Sequence, residues 1–340
     1  MNAQLKIILL ALTIVVLFVA NLVYGSVSIP ASEVFNILTG GTASRPSWTF
    51  IVMQSRLPQA VTAMLCGASL AASGLLLQTY FHNPLAGPSI LGITNGAALG
   101  VAIVMLVTGG IIGSPTAGAS GLQLVGYVAV VAAAFIGAMA IIVLLLFVTQ
   151  LIKNILSILI IGIMVSYLTS SAVALCNFFA NADSVHTYVN WGMGSFSNVS
   201  LDQLPLYCGL CIVGLLIAAV LVKPLNAILL GENYAVNLGF NIQTTRTLIL
   251  LSTGILTAVT TAFCGPVAFI GLAVPHIARL VIKEADHKLL LPATILAGAV
   301  IALLCNLICA LPQNFIIPLN AVTPIFGAPV IIYIILRKQF

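Results

Sequence analysis

The side chains that could do chemistry in this chain of 340 residues are few and far apart. Ser69, within Gly67-Ala68-Ser69-Leu70, and His276, after Pro275, lie on separate apolar runs. A serine and a histidine brought together from two spans are what an intramembrane serine hydrolase needs. Ser69, however, belongs to a continuous small-residue face (Gly67, Ala68, Ser69, Ala71, Ala72, Ser73, Gly74) that close helix packing explains without catalysis. The seven cysteines all fall in apolar runs. Cys208/Cys211 and Cys305/Cys309 have helical spacing, but no histidine lies near either pair to complete a zinc set, so they read as small packing residues. No catalytic residue and no metal ligand is assigned. There is no G-x-x-x-x-G-K-[ST], so the chain itself cannot cradle ATP phosphates.

The elements that would have to position any such site are membrane spans. The chain is 61% hydrophobic and only 5% charged, against about 25% charge in ordinary soluble domains. At about 20 residues per span, it holds roughly ten helices in one transmembrane domain, residues 1–340, and no separate soluble domain. The spans are expected at Ile7–Tyr24 (uncleaved, without an A-x-A site), Leu57–Phe81, Ile90–Val107, Leu122–Thr149, Ile155–Phe179, Leu204–Val222, Thr247–Cys264, Pro266–Ile282, Leu289–Leu311 and Ala321–Leu336. The fold class is therefore all-α and polytopic, with both termini on one side. That topology collects Lys6, Lys153, Lys223, Arg246, Arg279, Lys283, Lys288, Arg337 and Lys338 on the cytoplasmic side and leaves Arg45 and Arg56 outside. Scattered between spans, these charges are no nucleic-acid signal. None of the six acidic residues falls in a span, whereas ion-coupled carriers usually place ionisable groups mid-membrane. His276 alone comes close, and it is expected to bond backbone freed by Pro275.

One cytoplasmic stretch stands out. Between Lys223 and Arg246 runs KPLNAILLGENYAVNLGFNIQTTR, read as two short helices, roughly Leu225–Leu230 and Asn233–Leu238, stopped by Gly231 and Gly239. Neither piece can span a bilayer or persist alone in water. Their apolar faces (Leu225, Ile228, Leu229; Tyr234, Leu238) suit a groove on a partner. On the outer side, Ser28–Gly41 is expected as a short amphipathic helix with Pro30 in its first turn and Val34, Ile37 and Leu38 as its stripe. The loop Asn181–Gln203, with VNWGMGSF, reads as a broken or re-entrant helix, and Asn177, Asn190, Trp191 and Gly194 are candidates for an outer gate. His82-Asn83-Pro84 reads as a helix-ending turn on the cytoplasmic side.

Several motifs in order resemble one family. Arg56-Leu57-Pro58, Gly67-Ala68-Ser69-Leu70, Ser73-Gly74, Gln78, Asn83-Pro84-Leu85-Ala86, Leu91-Gly92 and Asn95-Gly96-Ala97 form its N-terminal signature. Leu229 and Leu230-Gly231-Glu232, with Ala235 and Leu238-Gly239, are similar to its coupling segment, here 224–243. Gly265-Pro266, Phe269-Ile270-Gly271-Leu272, Pro275-His276, Arg279, Asp286-His287, Leu291-Pro292 and Gly327-Ala328-Pro329 follow. Together they resemble the FecCD-type permeases, the membrane subunits of type II ATP-binding-cassette importers for iron-siderophores, haem and vitamin B12.

The resemblance implies a permease that is not itself an enzyme, paired with a second copy or a sister permease in a bacterial inner membrane. Two cytosolic ATPase subunits would hold the ATP and Mg and dock on the coupling segment. A periplasmic or lipid-anchored binding protein would deliver the cargo, pairing with an outward basic residue at Arg56. The chain departs from the family pattern at Gln59, where a second arginine is common. It departs also at Ile316-Ile317-Pro318-Leu319-Asn320, where the family has Glu-Leu-Pro-x-Gly, and at Cys309 or Ala310, where it has an arginine. An ion-coupled secondary transporter is the alternative.

Overall fold

The computed structural model describes residues 3–107, 120–152, 154–312 and 317–338; Lys153 and Ile316 lie outside them. In chain order the helices are α1 (Ala3–Val23), α2 (Ala31–Leu38), α3 (Pro46–Tyr80), α4 (Ile93–Val107), α5 (Ser120–Leu151), α6 (Ile155–Phe179) and α7 (Ala182–Gly192). After these come α8 (Leu204–Val220), α9 (Val222–Leu229), α10 (Glu232–Asn237), α11 (Ile242–Cys264), α12 (Ile270–Ile282), α13 (His287–Ala310) and α14 (Leu319–Lys338). No strand occurs among the described residues.

Among the described residues, six helices, or stretches of them, are long and apolar enough to cross a membrane: α1, α3, Gly126–Leu151 of α5, Leu156–Phe179 of α6, α11 and α13. The pair α8 and α9, bent by 47°, makes a seventh if counted as one span. α4, α12 and the Leu319–Tyr333 part of α14 are shorter apolar helices.

The bundle is built around α3, the most buried of the long helices. Its small residues let neighbouring backbones come within contact. A side chain on Gly67 would collide with the Gly298 carbonyl of α13, and one on Gly298 with the Gly67 carbonyl. One turn-pair further along, Gly74 meets the Gly271 carbonyl of α12. The second layer uses the same device, with Gly96 of α4 and Gly137 of α5 each facing the other's carbonyl. α11 packs on α3, α5 and α8, whereas α1 and α6 leave most of their surface outward.

Several boundaries differ from those expected. α3 starts eleven residues before Leu57 and is wound in a wider π-type turn over Ile51–Arg56, so Arg56 lies inside a helix and not in an outer loop. The helix near residue 30 begins at Ala31 with Pro30 before it, and it buries Val34 and Ile37 but leaves Leu38 exposed. The eighth apolar run is helical only from Ile270. Gly265 and Phe269 both take positive φ (75° and 67°), which unwinds 265–269. The expected piece Leu225–Leu230 starts earlier, at Val222, because α9 continues directly from α8 through the bend.

Gly298→Val should leave little monodisperse protein on size exclusion in detergent, because the obstructing atom is a backbone carbonyl that cannot turn away. Gly209→Ala, on an open face of α8, should stay within about 0.5 kcal/mol of the parent.

Candidate functional site

The candidate residues fall into two groups at opposite ends of the bundle. At the end carrying Lys6, Lys223 and Lys288, α9 and α10 form an elbow. Burial of Leu225, Ala227 and Ile228 fixes α9 against the bundle, and burial of Ala235 fixes α10. Gly231 between them sits at φ 115° and Gly239 after them at φ 87°, conformations that a Cβ would strain. These two breaks turn Leu229, Leu230, Tyr234, Val236 and Leu238 outward, all 40% or more exposed. Glu232 does not share that face. Its carboxylate pairs at 3.6 Å with Arg246, which is buried on α11 and stacks over the Tyr80 ring of α3 at 5.6 Å.

The elbow is tied to the bundle by a polar chain. Asn226 of α9 donates Nδ2–H to Asp286 Oδ1 (2.6 Å), and its Oδ1 accepts from His287 N (2.9 Å) and from the His287 ring at Nδ1 (2.8 Å). With Nδ1 carrying the proton, His287 Nε2 accepts from Thr79 Oγ1 of α3 at 2.8 Å. His82, at φ 47°, donates Nε2–H to the Ile228 carbonyl (3.2 Å). The Lys288 N–H and the Asn226 amide hold the Asp286 carboxyl below the usual carboxylate range.

The motif residues beside this end meet one another. Asn83 accepts from Leu85 N at 2.9 Å and so shapes the Asn83-Pro84 turn, whose Pro84 carbonyl accepts from His276 Nε2 at 2.7 Å. Arg279 donates to Gln78 Oε1 (2.6 Å), and Gln78 donates on to the Leu272 carbonyl (3.0 Å). The expectation that His276 bonds backbone freed by Pro275 is corrected here. Pro275 releases the Gly271 carbonyl, but that carbonyl lies against Gly74, and His276 reaches across to the 82–86 turn instead. Ser69 is buried in the α3 face beside Cys211 of α8, while the His276 ring is engaged by the Pro84 carbonyl.

At the opposite end, Arg56 is 6% exposed and donates to the carbonyls of Leu22 (2.8 Å), Val23 (2.8 Å) and Val27. It satisfies the carbonyl end of α1, which has no helical partner of its own. Gln59 donates to Asn306 Oδ1 (3.0 Å), and Asn306 donates to Asn21 (2.8 Å). The gate candidates divide. Trp191 and Gly194 lie at the end of α7, where Gly194 has φ 72° and Ser195 N donates to the Cys264 carbonyl at 2.8 Å. Asn190 is exposed and its side chain bonds its neighbour His186, while Asn177 is half-buried on α6.

The residue that joins these pieces is Asn320. Its Nδ2 donates to the carbonyls of Gly192 (3.0 Å) and Pro266 (2.7 Å), and its Oδ1 accepts from Ala268 N (3.1 Å). Its own N–H donates to the Met193 carbonyl at 3.1 Å. A single side chain thus pins α7, the unwound 265–269 segment and the start of α14. Sequence reasoning met Asn320 only as a departure from a family pattern. A lone amide at the start of an apolar run was the available signal.

The family model described as the FecCD transport family matches residues 12–337. The chain belongs to the FecCD transport family. The vitamin B12 import system permease protein BtuC of Citrobacter koseri is 34% identical over 85% of this chain and 83% of its own length. A protein of Methanocaldococcus jannaschii named as an ABC transporter permease is 29% identical over 98% of this chain and 96% of its own. A solved chain described as an inward-facing conformation of a metal-chelate type ABC transporter superposes with a TM-score of 0.82 at 27% identity, covering 98% of this chain and 99% of that one. The chain is accordingly a multi-pass membrane permease, and its fold, all-helical among the described residues, is that of an ABC transporter permease.

Asn320→Ala should cost about 1–3 kcal/mol by orphaning the Gly192 and Pro266 carbonyls and the Ala268 N–H, read as a lower thermal midpoint in detergent. Asn190→Ala, which breaks only a surface contact, should leave the midpoint unchanged.

Proposed function

We propose that this FecCD-family chain is the membrane subunit of an ATP-driven importer that moves an iron-siderophore, or haem or cobalamin, across the inner membrane into the cytoplasm. The observation that carries the proposal is the row of apolar side chains bared on the elbow: Leu229, Leu230, Tyr234, Val236 and Leu238. Contiguous exposed apolar surface on a polar membrane face is a docking surface for a partner. The partner is a cytosolic ATPase subunit, two of them per transporter, holding the ATP and Mg. The permease does no covalent chemistry.

In this reading the three shorter apolar helices, α4, α12 and α14, complete about ten spans, and both termini lie in the cytoplasm with the elbow. A push on the elbow has two routes inward: through Glu232 and Arg246 to α11 and Tyr80, and through Asn226, His287 and Thr79 to α3 and α13. Leu230, Gly231, Ala235 and Gly239 set the elbow's shape.

The transporter contains a second copy or a sister permease. The exposed apolar faces of α6 (Tyr167, Leu168, Phe178) and α14 (Ile325, Ile332, Tyr333) support that partner. The opposite end receives a periplasmic or lipid-anchored binding protein. Arg56 and Gln59 act there through the turns they hold, and Asn177, Asn190, Trp191 and Gly194 lie about the outer gate. The cargo is a metal chelate or corrinoid, a choice supported by the names of the BtuC relative and of the metal-chelate type structure.

The test is ATPase activity in liposomes that hold this chain with its ATPase and loaded binding protein. Ferric chelates, haem and cobalamin are supplied in turn. One cargo should stimulate turnover, and Leu230→Asp with Leu238→Asp should abolish the stimulation and release the ATPase on pull-down. Uptake that follows an ion gradient with no ATPase bound would make the chain a secondary carrier instead.

A further inference from the structure

A cleft of about 890 Å3 opens beside the elbow, between α8–α9 and α13. Its walls are apolar: Val220 and Val222 on one side, Leu291, Pro292, Ile295 and Leu296 on the other. Along α8 the wall runs into an outward apolar stripe, Val213, Leu216 and Val220, each about half exposed or more. That stripe faces hydrocarbon in a membrane permease. The cleft's rim is different. Lys223 stands in the first turn of α9 and Lys288 in the first turn of α13, both exposed. Neither ammonium lies within ion-pair distance of a carboxylate among the described residues, although the Lys288 charge acts on the Asp286 carboxylate. The carboxylate of Asp286 shares the rim, but it accepts from Asn226 Nδ2 and Lys288 N, so two cations face one engaged anion.

The geometry points to a binding site for one anionic glycerophospholipid, its phosphate between Lys223 and Lys288 and its acyl chains along the α8–α13 cleft. Charge and shape agree on this occupant. A cationic rim where apolar spans end, above a groove open to hydrocarbon, matches a molecule with a negative head and apolar tails. A free phosphate would leave the apolar walls unfilled. The lipid would touch both the elbow at Asn226 and the start of α13, and so brace the bend between α8 and α9. This inference depends on the membrane setting and not on the coupling reading.

The test is native mass spectrometry of the assembled transporter released from nanodiscs of phosphatidylcholine and phosphatidylglycerol. The parent should retain phosphatidylglycerol in preference to phosphatidylcholine. Each lysine near an anionic surface is worth about fivefold in affinity, so Lys223→Gln with Lys288→Gln should weaken retention about 25-fold. Leu296→Trp, which fills the cleft without touching the charges, should displace the lipid as well. A benzophenone amino acid at Val220 should acquire the mass of a phospholipid on irradiation. Equal retention of the two lipids, or retention unchanged in both variants, overturns the site, as does crosslinking of position 220 to the ATPase or to a second copy. None of these readouts requires ATP turnover, so the site and the coupling reading stand or fall separately.

Discussion

Backbone-to-backbone contact along α3 is the constraint from which the rest of this molecule follows. At Gly67 and Gly298, and again at Gly74 and Gly271, two helices touch with no side chain between them. In lipid, apolar side chains gain little from leaving the surroundings, so close van der Waals packing replaces the hydrophobic effect as the cohesive force between helices. Fixing α3 against α12 and α13 in this way positions the turn at 82–86, the Gln78–Arg279 bond and the Thr79–His287 bond, all at one end of that helix. The elbow then rests on a platform that α3 defines.

Polar groups in the bundle follow the same logic. Asn21, Gln59 and Asn306 bond one another, Asn226 and His287 bond each other, and Asn320 serves four backbone groups. Where these amides lie inside the bundle, they saturate their neighbours in a medium that offers no water to replace a lost bond. Arg56 does the same for the end of α1. The cation read as an outward contact is held inward by three carbonyls.

What could be read in advance divides by range. The small-residue face from Gly67 to Gly74, the breaks at Gly231 and Gly239 and the amphipathic stripe of Val34 and Ile37 are local patterns, and the structure places them as packing face, turns and buried stripe. The unwound stretch at 265–269 was not readable, because Val267 and Phe269 look like helix residues and the conformation depends on Asn320, distant in sequence. Arg56 belongs to the same class: the chain from Pro46 winds straight into the bundle through a π-type turn over Ile51–Arg56, which the residue types there do not announce. His276 follows the same rule, for its partner is a turn that only tertiary packing brings near.

Burial and hydropathy run in opposite directions here. Of the spanning helices α3 and α11 are the most buried and the least apolar, while α1 and α5 are more apolar and far more open to lipid. During synthesis this ordering imposes a sequence of events. α1 can partition into the bilayer as soon as it is made, for its apolar surface needs no protein neighbour. α3 leaves synthesis with Arg56 and a row of hydroxyls and glycines. Its partners α11, α12 and α13 do not exist until the chain is nearly finished. The glycine crossings that make the finished bundle tight therefore leave a central helix waiting for its packing partners for most of the time the ribosome takes to complete the protein.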